Sequence, residues 1–245
     1  MVLHEWNGTS SRRRKNRMVK KKIIKRLNKL KNNWEIENKF HQLVDKSRFM
    51  KFLNHYELLK KSKKVKGDII ECGVLKGNSL IRFLIFRDFL NLKKKVYAFD
   101  AYGSFPVSYK NTKNKILSKE KQFAEIHDKN TGKGFSKNQI NSILKRKKIK
   151  NYALVKGDIF ETLEKTFKKN DKKKISFLHL DLDVYLPTLF CLEKFYNKLS
   201  NGGIILIDDF KTHPGATKAT LEFLKKKGKK IKVIKNSRPT YYFQK

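Results

Sequence analysis

Residues 175–210 read ISFLHLDLDVYLPTLFCLEKFYNKLSNGGIILIDDF. Two short apolar runs, Ile175–Leu180 and Ile204–Ile207, flank a helical window. Each run ends on acids, Asp181 and Asp183 after the first, Asp208 and Asp209 after the second. Short, uninterrupted apolar strands alternating with helices predict a mostly parallel sheet covered on both faces. Ligands of such sheets sit outside the carboxyl ends of the strands, so these four carboxylates are expected to converge there. Their mutual repulsion calls for a cation, and oxygen donors without a nearby cysteine suit a hard ion such as Mg²⁺.

The same pattern extends in both directions. Strand candidates at Ile69–Cys72, Val96–Phe99 and Tyr152–Val155 precede the quoted stretch, and Ile231–Ile234 and Thr240–Phe243 follow it. The final two are joined by only KNSRP, so the last strand is expected to return antiparallel. The first strand runs into ECGVLKGN, where Gly73 permits a tight turn, Gly77 stands at a helix mouth, and the helix N-terminus offers free N–H groups to negative charge. Asp100 closes the second strand, where an acid can accept hydrogen bonds from the ribose hydroxyls of a nucleoside cofactor. Leu75 stands where the nicotinamide fingerprint needs its second glycine, which argues against NAD. Asp158 follows the third strand and is suited either to an adenine amino group or to capping the next helix.

The charge is extreme: 60 Lys plus Arg against 22 Asp plus Glu, a formal +38 over 245 residues. Such a field attracts any polyanion. Fifty of these cations are lysine and only ten arginine, however, and lysine lacks the planar fork that reads phosphates and bases, so nucleic acid is not the expected partner. Residues 12–31 hold twelve Lys or Arg and no acid, with Val19, Ile23, Ile24, Leu27 and Leu30 at helical spacing. This basic amphipathic segment is a candidate for contact with an anionic membrane surface. Residues 1–66 are accordingly read as a basic helical extension and 67–245 as the catalytic domain, with Phe40–Lys61 a further helical region. Residues 101–135, polar and poorly periodic, suit a lid. With two cysteines, no long apolar run and no secretory pattern, the expected location is cytoplasmic, with room for peripheral attachment at the inner membrane face.

These residues together resemble the class I S-adenosylmethionine-dependent methyltransferases, and within them the macrocin O-methyltransferase family. The resemblance is carried by GDIIECGVLKGNS, VYAFDAYGSFP, GFSKNQINSIL, VKGDIFETL, LHLDLDVYLPTLFCLEKFYNKLSNGGIILIDDF and HPGATKATLEFL. It implies an α/β, Rossmann-like sheet of seven strands, and methyl transfer from S-adenosylmethionine to a hydroxyl, here of a sugar in a glycan or secondary metabolite, with Mg²⁺ on the acceptor oxygens. It further implies Asp181, Asp208 and Asp209 as metal ligands and Asp183 as the base, with Glu71, Gly73, Ser79, Asp100 and Asp158 toward the cofactor. His127 and His213 are candidate acceptor contacts or alternative bases. A homo-oligomer is compatible with all of this. Two other classes compete: a glycosyltransferase holding a nucleotide-sugar's metal through Asp-x-Asp, and a basic nucleic-acid-binding protein or RNA methyltransferase.

Overall fold

The computed structural model describes residues 32–105, 122–123, 126–168 and 171–245. The basic segment 12–31 lies outside the described residues. The chain forms two compact units, residues 1–49 and 50–245, so residues 50–66 belong with the unit that holds the sheet. In the first unit, α1 (Asn33–Leu43) is capped by Asn32, whose side chain accepts from the Glu35 N–H at 3.0 Å. The helical region expected over 40–61 is divided at Val44–Asp45, where Asp45 accepts the Ser47 N–H at 2.8 Å and starts a new helix, α2 (Lys46–Lys61), which runs into the second unit.

The second unit contains a sheet of seven strands: β1 (Asp68–Cys72), β2 (Val96–Asp100), β3 (Tyr152–Lys156), β4 (Ile175–Leu180), β5 (Leu199–Ile207), β6 (Lys232–Ile234) and β7 (Thr240–Gln244). Their order is β3-β2-β1-β4-β5-β7-β6. β1 to β5 are parallel, and β7 runs antiparallel to both β5 and β6. β5 starts five residues earlier than its apolar run, because Leu199 already pairs with Ile175. The helices between the strands are α3 (Asn78–Phe89), α4 (Lys137–Arg146), α5 (Ile159–Thr166), α6 (Tyr185–Tyr196) and α7 (Pro214–Lys227).

Alternate strand residues enter two separate cores. Ile69, Phe177, Ile204 and Leu206 pack with Leu58 and Leu59 of α2, Leu80 and Phe83 of α3 and Ile140 of α4. Ile70, Leu178, Ile205 and Ile207 pack with Leu163 of α5, Phe195 of α6 and Phe223 of α7. A strand buried on both faces cannot alternate polar and apolar residues, which is why these segments read as continuous apolar runs. Each fully buried side chain of this kind contributes about 1.5–3 kcal/mol relative to exposure. Cys72 and Cys191 are free buried thiols within the second core. Strand order reverses between β1 and β4, and the crevice at that reversal is where a sheet of this type accepts ligands. No helix among the described residues is long and apolar enough to cross a membrane.

Candidate active site

Every parallel strand is followed within four residues by a backbone turn in the positive-φ region: Gly73 and Leu75 after β1, Tyr102 after β2, Gly157 after β3, Asp183 after β4 and Lys211 after β5. Left-handed backbone at non-glycine residues is uncommon and costs free energy, and its clustering here marks a shaped site. The turns enclose a cavity of about 480 Å³ lined from all five loops, among them by Gly73, Asp100, Asp158, Asp181, Asp183, Asp208 and Asp209.

On the β1–β3 side, Gly73 is dictated by packing. Its φ is +90°, and a Cβ there would lie 1.8 Å from the Asp181 carbonyl oxygen. Asp100 already serves the turn, for its Oδ2 accepts the N–H groups of Val74 (2.6 Å) and Leu75 (3.0 Å), and its Oδ1 that of Tyr102 (2.5 Å). A carboxylate has roughly four acceptor positions, so one remains for a ribose hydroxyl. Asp158 caps α5 by accepting the Phe160 N–H at 2.9 Å and still lines the cavity, so the two sequence readings are compatible. Glu71 and Ser79 are not among the lining residues. Glu71 is fully buried within β1 and faces His179, and Ser79 is buried in the first turn of α3.

On the β4–β5 side, carboxylate oxygens of Asp181, Asp208 and Asp209 lie within 4.8 Å of one another. Burial and the charges of Asp208 and Asp209 push the Asp181 carboxyl well above its ordinary range. Asp183 is raised to about 8, by burial first and then by Asp209. Its left-handed backbone is held by its own N–H, which donates to Asp209 Oδ2 at 2.9 Å. Two histidines flank its carboxylate: His213 Nδ1 lies 3.4 Å from Oδ1, and His127 Nε2 lies 3.9 Å from Oδ2. His213 is also 3.2 Å from Asp209 Oδ1, a contact that raises its pKa against the opposing effect of partial burial. His127 comes from the long 101–135 connection, in a helical stretch over residues 126–131, with its ring 5.0 Å from that of Phe105. Residues 106–121 and 124–125 of the expected lid lie outside the described residues.

The sequence reading missed Lys51, His55 and Arg238, and took His179 for a buried, hydrogen-bonded strand residue. Lys51 of α2 lines the cavity and places Nζ 2.5 Å from Asp208 Oδ2. His55, one turn later, and His179 of β4 direct Nε2 at Asp208 Oδ1, at 3.5 and 3.7 Å. Burial alone would raise the Asp208 carboxyl, but His179, His55 and Lys51 outweigh it and hold it well below the usual range. Arg238 reaches the cavity from the β6–β7 loop, whose backbone is held by Asn54 Nδ2 donating to the Arg238 carbonyl at 2.9 Å. Arg238 is indistinguishable in sequence from the many other cations. Lys51, Asn54 and His55 did carry a signal, since they share the α2 stripe of Leu58 and Leu59, where polar residues are out of place.

A seven-stranded, mostly parallel sheet with an antiparallel β7, and a carboxylate-lined crevice at the β1/β4 reversal, define the Rossmann-like methyltransferase fold. More specifically, the chain belongs to the macrocin-O-methyltransferase (TylF) family, whose model matches residues 3–245. Similar solved structures include the O-methyltransferase NovP, at 20% identity and a TM-score of 0.67 over 80% of this chain and 79% of that one. Another is apo CalS11, a TDP-rhamnose 3′-O-methyltransferase of calicheamicin biosynthesis, at 19% identity and a TM-score of 0.63 over 99% of this chain and 96% of that one. At these identities the likeness bears on the fold. No curated protein matches the chain. Family membership separates the Asp-x-Asp stretch of this chain from that of the glycosyltransferases.

Proposed function

We propose that the protein methylates a hydroxyl of a sugar, free or within a larger glycan or metabolite, with Mg²⁺ held by Asp181, Asp208 and Asp209 and with Asp183 as general base. The observation that carries this reading is the pairing of two adjacent groupings in one crevice: three carboxylates close enough to share an ion, and a fourth flanked by His127 and His213. The donor set fits a hard cation, since it is all oxygen and since a cation offsets the burial and the like charges that raise the Asp181 carboxyl. When bound, Mg²⁺ lowers the pKa of a coordinated hydroxyl, and S-adenosylmethionine supplies an electrophilic methyl group. The chain's own part is to hold the acceptor in line, exclude water and take the proton at the Asp183 carboxylate. An acid titrating near neutrality is matched to that task. His213 and His127 orient the carboxylate and stabilise it once charged.

For the cofactor we assign Gly73, Asp100 and Asp158 to direct contact. Glu71 and Ser79 act from behind, Glu71 through His179 and Ser79 by packing the α3 entrance. The acceptor class is supported by the family and by CalS11, which acts on a TDP-linked sugar. We also assign residues 12–31 to contact with an anionic surface, on the strength of their charge and periodicity. The test of the reaction is a methyl-transfer assay against a panel of free, glycosidic and nucleotide-linked sugars, with and without chelator, read by product mass. A gain of one methyl group on a sugar hydroxyl, lost with chelator and restored by Mg²⁺, is the expected result. Full turnover after exhaustive chelation would remove the metal from the mechanism.

A further inference from the structure

We propose that His55, His179 and Asp208 form a second, buried metal site, selective for a borderline divalent ion such as Zn²⁺ or Co²⁺. The proposal goes beyond the all-oxygen cluster, because two of its three donors are imidazole nitrogens, which Mg²⁺ does not favour.

The geometry has three independent parts. First, the donor atoms converge. Both Nε2 atoms face one oxygen, Asp208 Oδ1, at 3.5 and 3.7 Å, and all three donors lie within 4.8 Å of one another. Donors bound at about 2.0–2.2 Å to a common ion are separated by roughly 3–4 Å, so only small side-chain movements are needed. Second, the nitrogens are fully buried and unpartnered. His55 and His179 are 0% exposed, and neither Nε2 makes a hydrogen bond. An orphaned buried polar atom costs about 1–3 kcal/mol, and an ion at this point would partner both Nε2 atoms, whereas His55 Nδ1 would keep none. Third, the surroundings are those of a metal-binding imidazole. His179 Nδ1 lies 3.2 Å from Glu71 Oε1, the outer carboxylate that fixes ring orientation and tautomer at metal sites. The His55 ring stacks on Phe83, at 5.1 Å between centroids and 4° between planes, so its donor is held in place before any ion arrives.

Charge is compatible with occupancy. Asp208 Oδ1 faces the imidazoles, and Oδ2, which Lys51 Nζ approaches at 2.5 Å, is the oxygen left to the all-oxygen cluster, so Asp208 bridges the two sites. Asp208 also lines the cavity, which gives an ion its route inward. The rival occupant is a proton on His179, which burial disfavours but contact with Asp208 and Glu71 lifts to a pKa of about 9. An imidazolium there would satisfy the carboxylates without any metal, and would leave His55 Nε2 only its 3.5 Å contact with Asp208 Oδ1.

The experiment uses full-length protein stripped by chelator and titrated with Co²⁺ in the presence of excess Mg²⁺, which fills the all-oxygen cluster. The expected result is one bound Co²⁺ that Mg²⁺ does not displace, with paramagnetically shifted imidazole N–H resonances from two histidines. In His55→Phe, which keeps the ring stacked on Phe83, Co²⁺ affinity is expected to fall by at least about tenfold and one resonance to vanish. Co²⁺ that Mg²⁺ displaces completely, or that binds without imidazole resonances, would overturn the site and leave the proton as occupant. Wild-type affinity in His55→Phe would do the same. Should that variant fail to fold, the wild-type resonances decide alone. The readout is independent of methyl transfer, so failure of the proposed reaction and failure of this site are separately visible.

Discussion

Asp181 and Asp183 are one residue apart in sequence, yet their surroundings differ, which is the ground for proposing different work for each. Asp181 continues directly from β4 among Asp208 and Asp209, whereas the left-handed backbone at Asp183 turns its carboxylate between two histidines. Asp181→Asn is therefore expected to weaken Mg²⁺ binding together with activity, because a neutral amide is a poorer ligand for a hard cation. Asp183→Asn is expected to retain metal and cofactor affinity but to lower kcat by about 10² to 10⁴, the usual contribution of a placed general base. Metal titration and steady-state kinetics on both variants check the division, and normal turnover by Asp183→Asn would transfer the proton to His127 or His213. The raised Asp183 pKa has a stability consequence whose sign can be worked out. With a folded value of about 8 against an ordinary 3.8, the native state binds this proton more tightly than the unfolded state. The protonated carboxyl's advantage is full below about pH 4 and is lost as pH rises to 8, so metal-free wild type should lose stability relative to Asp183→Asn across that window. Denaturant titrations of the two metal-free proteins at several pH values measure the gap; a gap independent of pH would show that the carboxyl titrates normally.

At the scale of elements, legibility followed burial. β1 to β5 announced themselves because strands covered on both faces must be continuously apolar, and the acids at their ends were readable because a parallel sheet brings its carboxyl ends together. The contribution of α2 was not read, since Lys51, Asn54 and His55 are polar residues on a buried stripe and their partners lie over a hundred residues away. Periodicity identifies a face but not what the face meets. Asn54 shows what such a residue does: its amide donates to Arg238 O at 2.9 Å and Thr240 Oγ1 at 2.8 Å, and its oxygen accepts from Asn236 at 2.7 Å. It thus holds the loop that carries Arg238 into the cavity. Asn54→Ala is expected to cost about 1–3 kcal/mol in chemical denaturation, because buried groups lose their partners. It should also lower acceptor turnover more than cofactor affinity, since the loop lies away from Asp100. An effect on cofactor affinity alone would contradict this arrangement. Gly73→Ala is expected to be far more severe, for its Cβ would collide with the Asp181 backbone at the junction of β1 and β4. Soluble yield and thermal unfolding of that variant report the outcome.

At the scale of the whole molecule, the +38 charge and the acid-lined cavity oppose one another. A positive field around a negative crevice attracts anionic ligands to the protein, while the crevice itself concentrates cations. Asp100, which we propose as the acceptor for a ribose hydroxyl, also anchors the Val74 and Leu75 N–H groups. Asp100→Ala is expected to weaken S-adenosylhomocysteine binding by at least about tenfold, roughly 1.4 kcal/mol, as charge-assisted hydrogen bonds and the shape of the turn are lost together. The basic segment 12–31, by contrast, precedes in sequence every described residue that lines the cavity, the first of which is Lys51. Removing residues 1–31 is therefore expected to leave S-adenosylhomocysteine affinity unchanged while abolishing attachment to anionic vesicles, an attachment that in the full chain weakens as salt shortens the Debye length. Calorimetry and vesicle co-sedimentation on the same truncated protein separate the two functions. Undiminished vesicle binding would move the attachment surface onto the sheet-bearing unit, and lost cofactor affinity would show that the segment supports the fold of the site instead.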